Sequence, residues 1–217
     1  MAREVVLVRH GATEWSATGR HTGRTDIPLS ERGRAQGASL APELDRWRFA
    51  IALSSPLRRA METAELSGIQ VAVDEDLREW DYGDHEGRTT AEIRVDAPGW
   101  TIFTGHVPGG ESVEQVAARA DRVIGQIDRV DGDVVIFSHG HFLRVLATRW
   151  LGLPPVDGRL LMLDPATLCV LGTEHETRAI RVWNGSPRSF IGRRRGFAGQ
   201  SGRVSHAKGT RCLCSCS

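Results

Sequence analysis

Apolar residues gather in short runs at 5–8, 49–53, 71–73, 133–137, 168–172 and 179–183, and between them they spread out to helical spacing. A run of four or five apolar residues without polar alternation, bounded by polar or glycine-rich sequence, reads as a strand covered on both faces. Helices are predicted over 30–44, where Ser30 serves as N-cap and Leu40 and Leu44 share a face, over 111–130, with Val116, Ala120, Val123 and Ile124 inward, and over 142–150. A further helix follows Ser54-Ser55-Pro56: either serine caps it, Pro56 starts it, and Arg58 and Arg59 stand in its first turn. Strands alternating with helices predict an α/β fold around a mostly parallel sheet, with the last two strands as a hairpin on one edge. Residues 13–27 read as an irregular polar stretch. Residues 89–112, with Trp100, Phe103 and paired glycines, read as an excursion over the sheet able to form a lid.

With 217 residues, 40% of them hydrophobic and 25% charged, the chain has the composition of a globular protein. No run is long enough to cross a bilayer and no leader pattern opens the chain, so the expected place is the cytoplasm, away from membranes. The net charge of +1 hides a division. Seven basic residues and no acid stand after 187, which leaves 21 basic against 27 acidic residues before it, about −6. One domain is expected over 1–187, and a basic, Cys-ended tail that cannot build a core over 188–217. An acidic body argues against nucleic acid as a partner and requires any anion site to be built from a few local arginines. Cys212, Cys214 and Cys216 crowd into that tail while Cys169 sits in a strand-like run, so no disulfide framework follows.

Three of the strands end in reactive groups. The run 5–8 leads into Arg9-His10-Gly11, the run 49–53 into Ser55-Pro56-Leu57-Arg58, and the run 133–137 into Ser138-His139-Gly140. In open α/β sheets the carboxyl ends of the strands form the crevice where ligands bind. The acidic stretch 76–87 adds Glu79. Two arginines and a protonated His139 could surround the oxygens of a phosphoryl group, and a neutral His10 could attack phosphorus in line. A carboxylic acid at Glu79 could then protonate the leaving oxygen and later activate water. That chemistry calls for no metal and no cofactor.

The ordered set Arg9-His10-Gly11 with Thr13, Thr22-Gly23 with Asp26 and Pro28-Leu29, Ser55-Pro56-Leu57-Arg58-Arg59-Ala60 with Thr63-Ala64, Glu79 with Gly83 and Gly87, Gly109-Gly110-Glu111-Ser112, and Ser138-His139-Gly140 resembles the histidine phosphatase (phosphoglycerate-mutase-like) superfamily. The likeness runs from Val5 to about Trp183 and is greatest to an acid phosphatase and sedoheptulose-bisphosphatase-like branch. It implies a three-layer α/β/α sandwich and a phosphohistidine on His10. It also implies Glu79 as proton donor and acceptor, Arg9, Arg58 and His139 as the phosphate pocket, and Gly11, Ser16, Thr22, Gly23 and Gly140 as further phosphate or substrate contacts. Ser16 stands where much of the family has an asparagine. The implied partner is a small phosphorylated metabolite, such as a sugar phosphate, with a homodimer as the assembly allowed for. The segment from Glu79 to Arg119 is short and has only Arg88 and Arg94 as basic residues, which favours hydrolysis over phosphoglycerate mutation. A mutase and a non-catalytic phospho-ligand or protein-binding module are the alternatives.

Overall fold

The computed structural model describes residues 3–186. Its strands are β1 (Val5–Arg9), β2 (Phe49–Ser54), β3 (Ala72–Val73), β4 (Asp133–Ser138), β5 (Leu168–Glu174) and β6 (Thr177–Gly185). They form one sheet in the order β3-β2-β4-β1-β5-β6. The pairs β1/β4, β4/β2 and β2/β3 are parallel, and β5 runs antiparallel to both β1 and β6. The parallel sheet with a hairpin edge is therefore the one its apolar runs predict.

Alternate residues of the central strands enter two cores. Val5, Leu7, Val134 and Ile136 pack on one face against α6 (Val113–Ile127) and α7 (Gly140–Trp150), together with Trp80, Trp100 and Phe103. On the other face Val6, Val8, Val135 and Phe137 meet Leu40, Leu44 and Ala64. That second cover comes from α2 (Glu31–Ala38), α3 (Ala41–Leu44) and α4 (Arg58–Leu66). Helices on both faces make three layers, and each large apolar side chain removed from water contributes about 1.5–3 kcal/mol.

Local departures from expectation have identifiable causes. Residues 13–27 include a one-turn helix, α1 (Glu14–Thr18), closed by a reciprocal capping box between Thr13 and Ser16 and ended by Gly19 at φ +73°. The helix expected to start at Pro56 starts at Arg58 with no side-chain cap. Ser55, one of the two expected caps, uses its hydroxyl on His139, at 2.7 Å, and on the Leu57 N–H, at 3.3 Å. The excursion over 89–112 contains another helix, α5 (Thr90–Asp96), and is fastened rather than free, because Trp100, Ile102, Phe103 and Val107 are each no more than 6% exposed. Among the described residues no helix is long and apolar enough to cross a membrane. The tail after 187 and its three cysteines lie outside the described residues.

The sheet register sets the site. Arg9 stands beside Ser138 and Ser54 beside Phe137. The residues that follow leave the sheet level with one another, tied by His10 N–H to the Ser138 carbonyl and Ser55 N–H to the Phe137 carbonyl, both at 3.0 Å.

Candidate active site

His10 leaves β1 into the cleft with its ring 5.1 Å, centroid to centroid, from that of His139. Its Nδ1 lies 2.7 Å from the Gly11 carbonyl. A carbonyl only accepts, so Nδ1 carries the proton and Nε2 holds the free lone pair. Nε2 has no partner among the described residues and does not count among their buried unpartnered atoms, so it opens to the cavity. Burial, reinforced by the charges of Arg59 and Arg9, pushes the His10 pKa well below its usual value. The imidazole is held neutral, as a nucleophile requires.

His139 sits behind it, fully buried. Its Nδ1 accepts from the Arg59 guanidinium Nε at 3.2 Å, and its Nε2–H donates to the Ser55 hydroxyl at 2.7 Å. An arginine cannot accept, so this pairing fixes the neutral tautomer, and burial followed by the charge of Arg59 lowers the His139 pKa far below its usual value. The protonated His139 expected from sequence is therefore corrected to a neutral one. Positive charge in the cluster comes from the arginines.

Arg58, expected in the phosphate pocket, is exposed, and only its backbone N–H is engaged nearby, donating to Asp26 at 2.8 Å. Its neighbour Arg59 takes the interior place. Arg59 is fully buried and donates to the carbonyls of Thr25, Thr22 and Gly23, each at 3.0 Å, as well as to His139. The reason is helical phase. The buried residues of α4 are Arg59, Ala60, Thr63 and Ala64, so Arg59 shares the Thr63 face one turn away while Arg58 turns to water. That periodicity was available in the sequence and distinguishes the two arginines.

Glu79 lies 7% exposed at the start of α7. Its carboxylate accepts from the backbone N–H groups of Trp80 at 2.9 Å, Phe142 at 2.8 Å and His141 at 3.0 Å. The last two are first-turn donors with no intrahelical partner, the natural seat of a carboxylate. Arg119 secures the loop from behind. It pairs with Glu111 through two nitrogens, both at 2.8 Å, and donates to the carbonyls of Asp76 at 2.6 Å and Arg78 at 2.9 Å.

Arg9, His10, Ser16, Thr22, Glu79 and Gly140 all line one cavity of about 260 Å³. Arg9 reaches the Leu163 carbonyl through Nη1, while its Nε is buried with no partner among the described residues. Beside His10 this guanidinium places positive charge on the wall of the cavity. Gly11 and Gly23 do not line the cavity, and their N–H groups are spent on the Thr63 hydroxyl, at 3.1 Å, and on Glu86, at 2.8 Å. Gly11 serves close packing instead, because a Cβ there would lie 2.4 Å from the Gly33 carbonyl oxygen. Not anticipated as site residues from sequence were Arg59, Arg144 and Tyr82, the last two of which also line the cavity.

The family model of the histidine phosphatase superfamily (branch 1) matches residues 5–186. The chain belongs to this superfamily. It is 42% identical over 183 residues to an acid phosphatase of Mycobacterium tuberculosis, covering 82% of this chain and 90% of that protein. To the sedoheptulose 1,7-bisphosphatase of Saccharomyces cerevisiae it is 35% identical, covering 68% of this chain and 67% of that one. A solved structure of mycobacterial glucosyl-3-phosphoglycerate phosphatase with VO3 superposes with a TM-score of 0.76 at 34% identity, covering 85% of this chain and all of that one (100%).

Proposed function

We propose that this protein is a phosphatase that hydrolyses small phosphomonoesters through a phosphohistidine on His10. The observation that carries the reading is the tautomer of His10: Nδ1 is tied to a carbonyl and Nε2 opens to a cavity that Arg9 and Glu79 also line. Nε2 attacks phosphorus as the P–O bond breaks, and the leaving alkoxide takes a proton from Glu79, which enters this half of the reaction as the carboxylic acid, protonated on Oε2, the oxygen with one N–H donor to Oε1's two. Arg9 stabilises the charge gathering on the non-bridging oxygens, and Arg59 adds positive field from behind while holding His139 and the 22–25 loop. In the second half Glu79 takes a proton from water, the oxygen attacks phosphorus, the N–P bond breaks, and phosphate leaves with His10 restored. Ser16, Thr22 and Gly140 complete the wall around the phosphoryl group.

Hydrolysis is favoured over mutation because the two basic residues between Glu79 and Arg119 are engaged elsewhere. Arg88 bonds Asp96 and the Glu92 carbonyl, Arg94 bonds the Trp100 carbonyl, and neither lines the cavity. The substrate class favoured by the relatives' names is a phosphorylated sugar or related metabolite. Brief mixing with phenyl phosphate, acid-labile phosphate mapping, and parallel assays with and without chelator test the reading. Phosphate release with label on His10, indifferent to chelator, is expected. A chain that neither hydrolyses the ester nor labels on His10 is no such enzyme, and loss of activity on chelation overturns the metal-free mechanism.

A further inference from the structure

The first turn of α7 presents a second histidine to the cavity, His141, which the steps above leave unused. Its Nδ1 lies 2.6 Å from the Tyr82 hydroxyl. Tyr82 is 2% exposed, and burial, with the nearby charges of Glu79 and Glu86, raises its pKa well above the usual value, so the hydroxyl keeps its proton. A buried O–H needs an acceptor, and the Tyr82 oxygen has no partner among the described residues other than His141 Nδ1. Tyr82 therefore donates, Nδ1 accepts, and the proton of the neutral imidazole is confined to Nε2. Nε2 has no hydrogen bond to another described residue, yet it does not count among their buried unpartnered atoms, so it faces open space. The backbone N–H of the same residue holds Glu79 at 3.0 Å, which sets the ring beside the group that serves the leaving oxygen.

We propose that His141 is a leaving-group specificity residue, its Nε2–H donating a hydrogen bond to an oxygen on the alcohol portion of the substrate, with Tyr82 as the positioning residue that locks the donor tautomer. The substrates favoured are phosphomonoesters whose alcohol carries an acceptor, a hydroxyl or an acidic group, close to the ester oxygen. Esters of bare aromatic or alkyl alcohols meet a donor they cannot satisfy, and a site built to hydrogen-bond a substrate discriminates against a substrate lacking the group. The inference rests on the phosphatase reading and adds to it the side of the site that chooses the alcohol.

The test compares kcat/KM for a sugar phosphate with kcat/KM for phenyl phosphate, in the wild type and in His141→Leu, His141→Gln and Tyr82→Phe. Loss of one hydrogen bond predicts that His141→Leu lowers the sugar-to-phenyl ratio about tenfold or more. Tyr82→Phe, which frees the tautomer, lowers it by about threefold or more, and His141→Gln, which keeps an N–H donor, holds the ratio closer to wild type than His141→Leu does. A merely structural role would depress both substrates together and leave the ratio unmoved. A ratio unchanged in both His141→Leu and Tyr82→Phe overturns the inference while leaving the phosphatase intact. If His141→Leu does not fold, the ratio in Tyr82→Phe decides by itself. Failure of the wild type to hydrolyse either ester overturns the phosphatase reading and the specificity role with it.

Discussion

Replacing Arg59 by methionine keeps the length and much of the volume of the side chain but deletes four hydrogen bonds, to His139 Nδ1 and to the carbonyls of Thr22, Gly23 and Thr25. Two effects oppose each other. Burial penalises the guanidinium charge, as the lowering of its pKa shows, and methionine relieves that cost. Against it, four acceptors lose a charged donor, at about 1.5 kcal/mol or more each. In a site with no exposure, water cannot replace that donor cheaply. Removing one partner from a buried charged network costs about 3–5 kcal/mol net, a large share of the roughly 5–15 kcal/mol that holds a domain together. For a chain of this size the midpoint of thermal unfolding should fall by about 6–20 °C. Assayed well below that midpoint, Arg59→Met should lose about a hundredfold or more in kcat/KM, because His139 and the 22–25 loop lose their anchor. Arg58→Met, at the exposed neighbouring position, should stay within about twofold in kcat/KM and shift the midpoint by no more than about 2 °C. Differential scanning fluorimetry and phenyl phosphate kinetics on the matched pair measure both. Equal losses in the two variants, or a larger loss in Arg58→Met, would refute the assignment of the interior role to Arg59.

Glu79→Gln should slow phosphoenzyme formation about 10²-fold or more for an alkyl phosphate and far less for 2,4-dinitrophenyl phosphate, whose leaving group needs no proton. Equal slowing of the two esters would remove Glu79 from proton transfer. Stability should be flat above pH 7 and fall as pH drops below about 6.5, since His10, His139 and His141 have pKa values held well below the usual one and His21 is lowered to about 4. The unfolded chain binds those protons first, so unfolding gains up to about 1.4 kcal/mol per histidine per pH unit, His21 contributing between about 6.5 and 4. Unfolding midpoints measured from pH 8 to 4.5 check this, and a midpoint that rises on acidification would contradict it.

The parts of the fold that could be read in advance are those in which one side chain decides alone. An unbroken apolar run such as Val134 to Phe137 has no stable place except a strand covered on both faces, and both cores claim it. Ser30 caps α2 as expected, through a bond from the Gly33 N–H at 3.1 Å, because that contact is local. Ser55 misled for the opposite reason. Its hydroxyl had two potential uses, and the distant one, His139, won over the local helix cap. The protonation of His139 was illegible in the same way, since a histidine after a strand reads as a cation for a phosphate until Arg59 is found donating to its Nδ1. Arg58 and Arg59 differ only in phase, and the inward one is the arginine one turn before the buried Thr63.

The residue types of the site are local to its loops, but the tautomers of His139 and His141 are set by partners far along the chain. His139 caps α7 with its backbone, and the first turn of the same helix holds the Glu79 carboxylate through two N–H groups. His139 and the Glu79 carboxylate thus hang on one helix terminus, although 59 residues separate Tyr82 from the histidine that its hydroxyl orients at that terminus. A shift of α7 that displaced His139 from His10 would also displace the Glu79 carboxylate. His139 and Glu79 consequently keep their spacing through α7, and Arg119 adds a brace from α6 through the Asp76 and Arg78 carbonyls and Glu111.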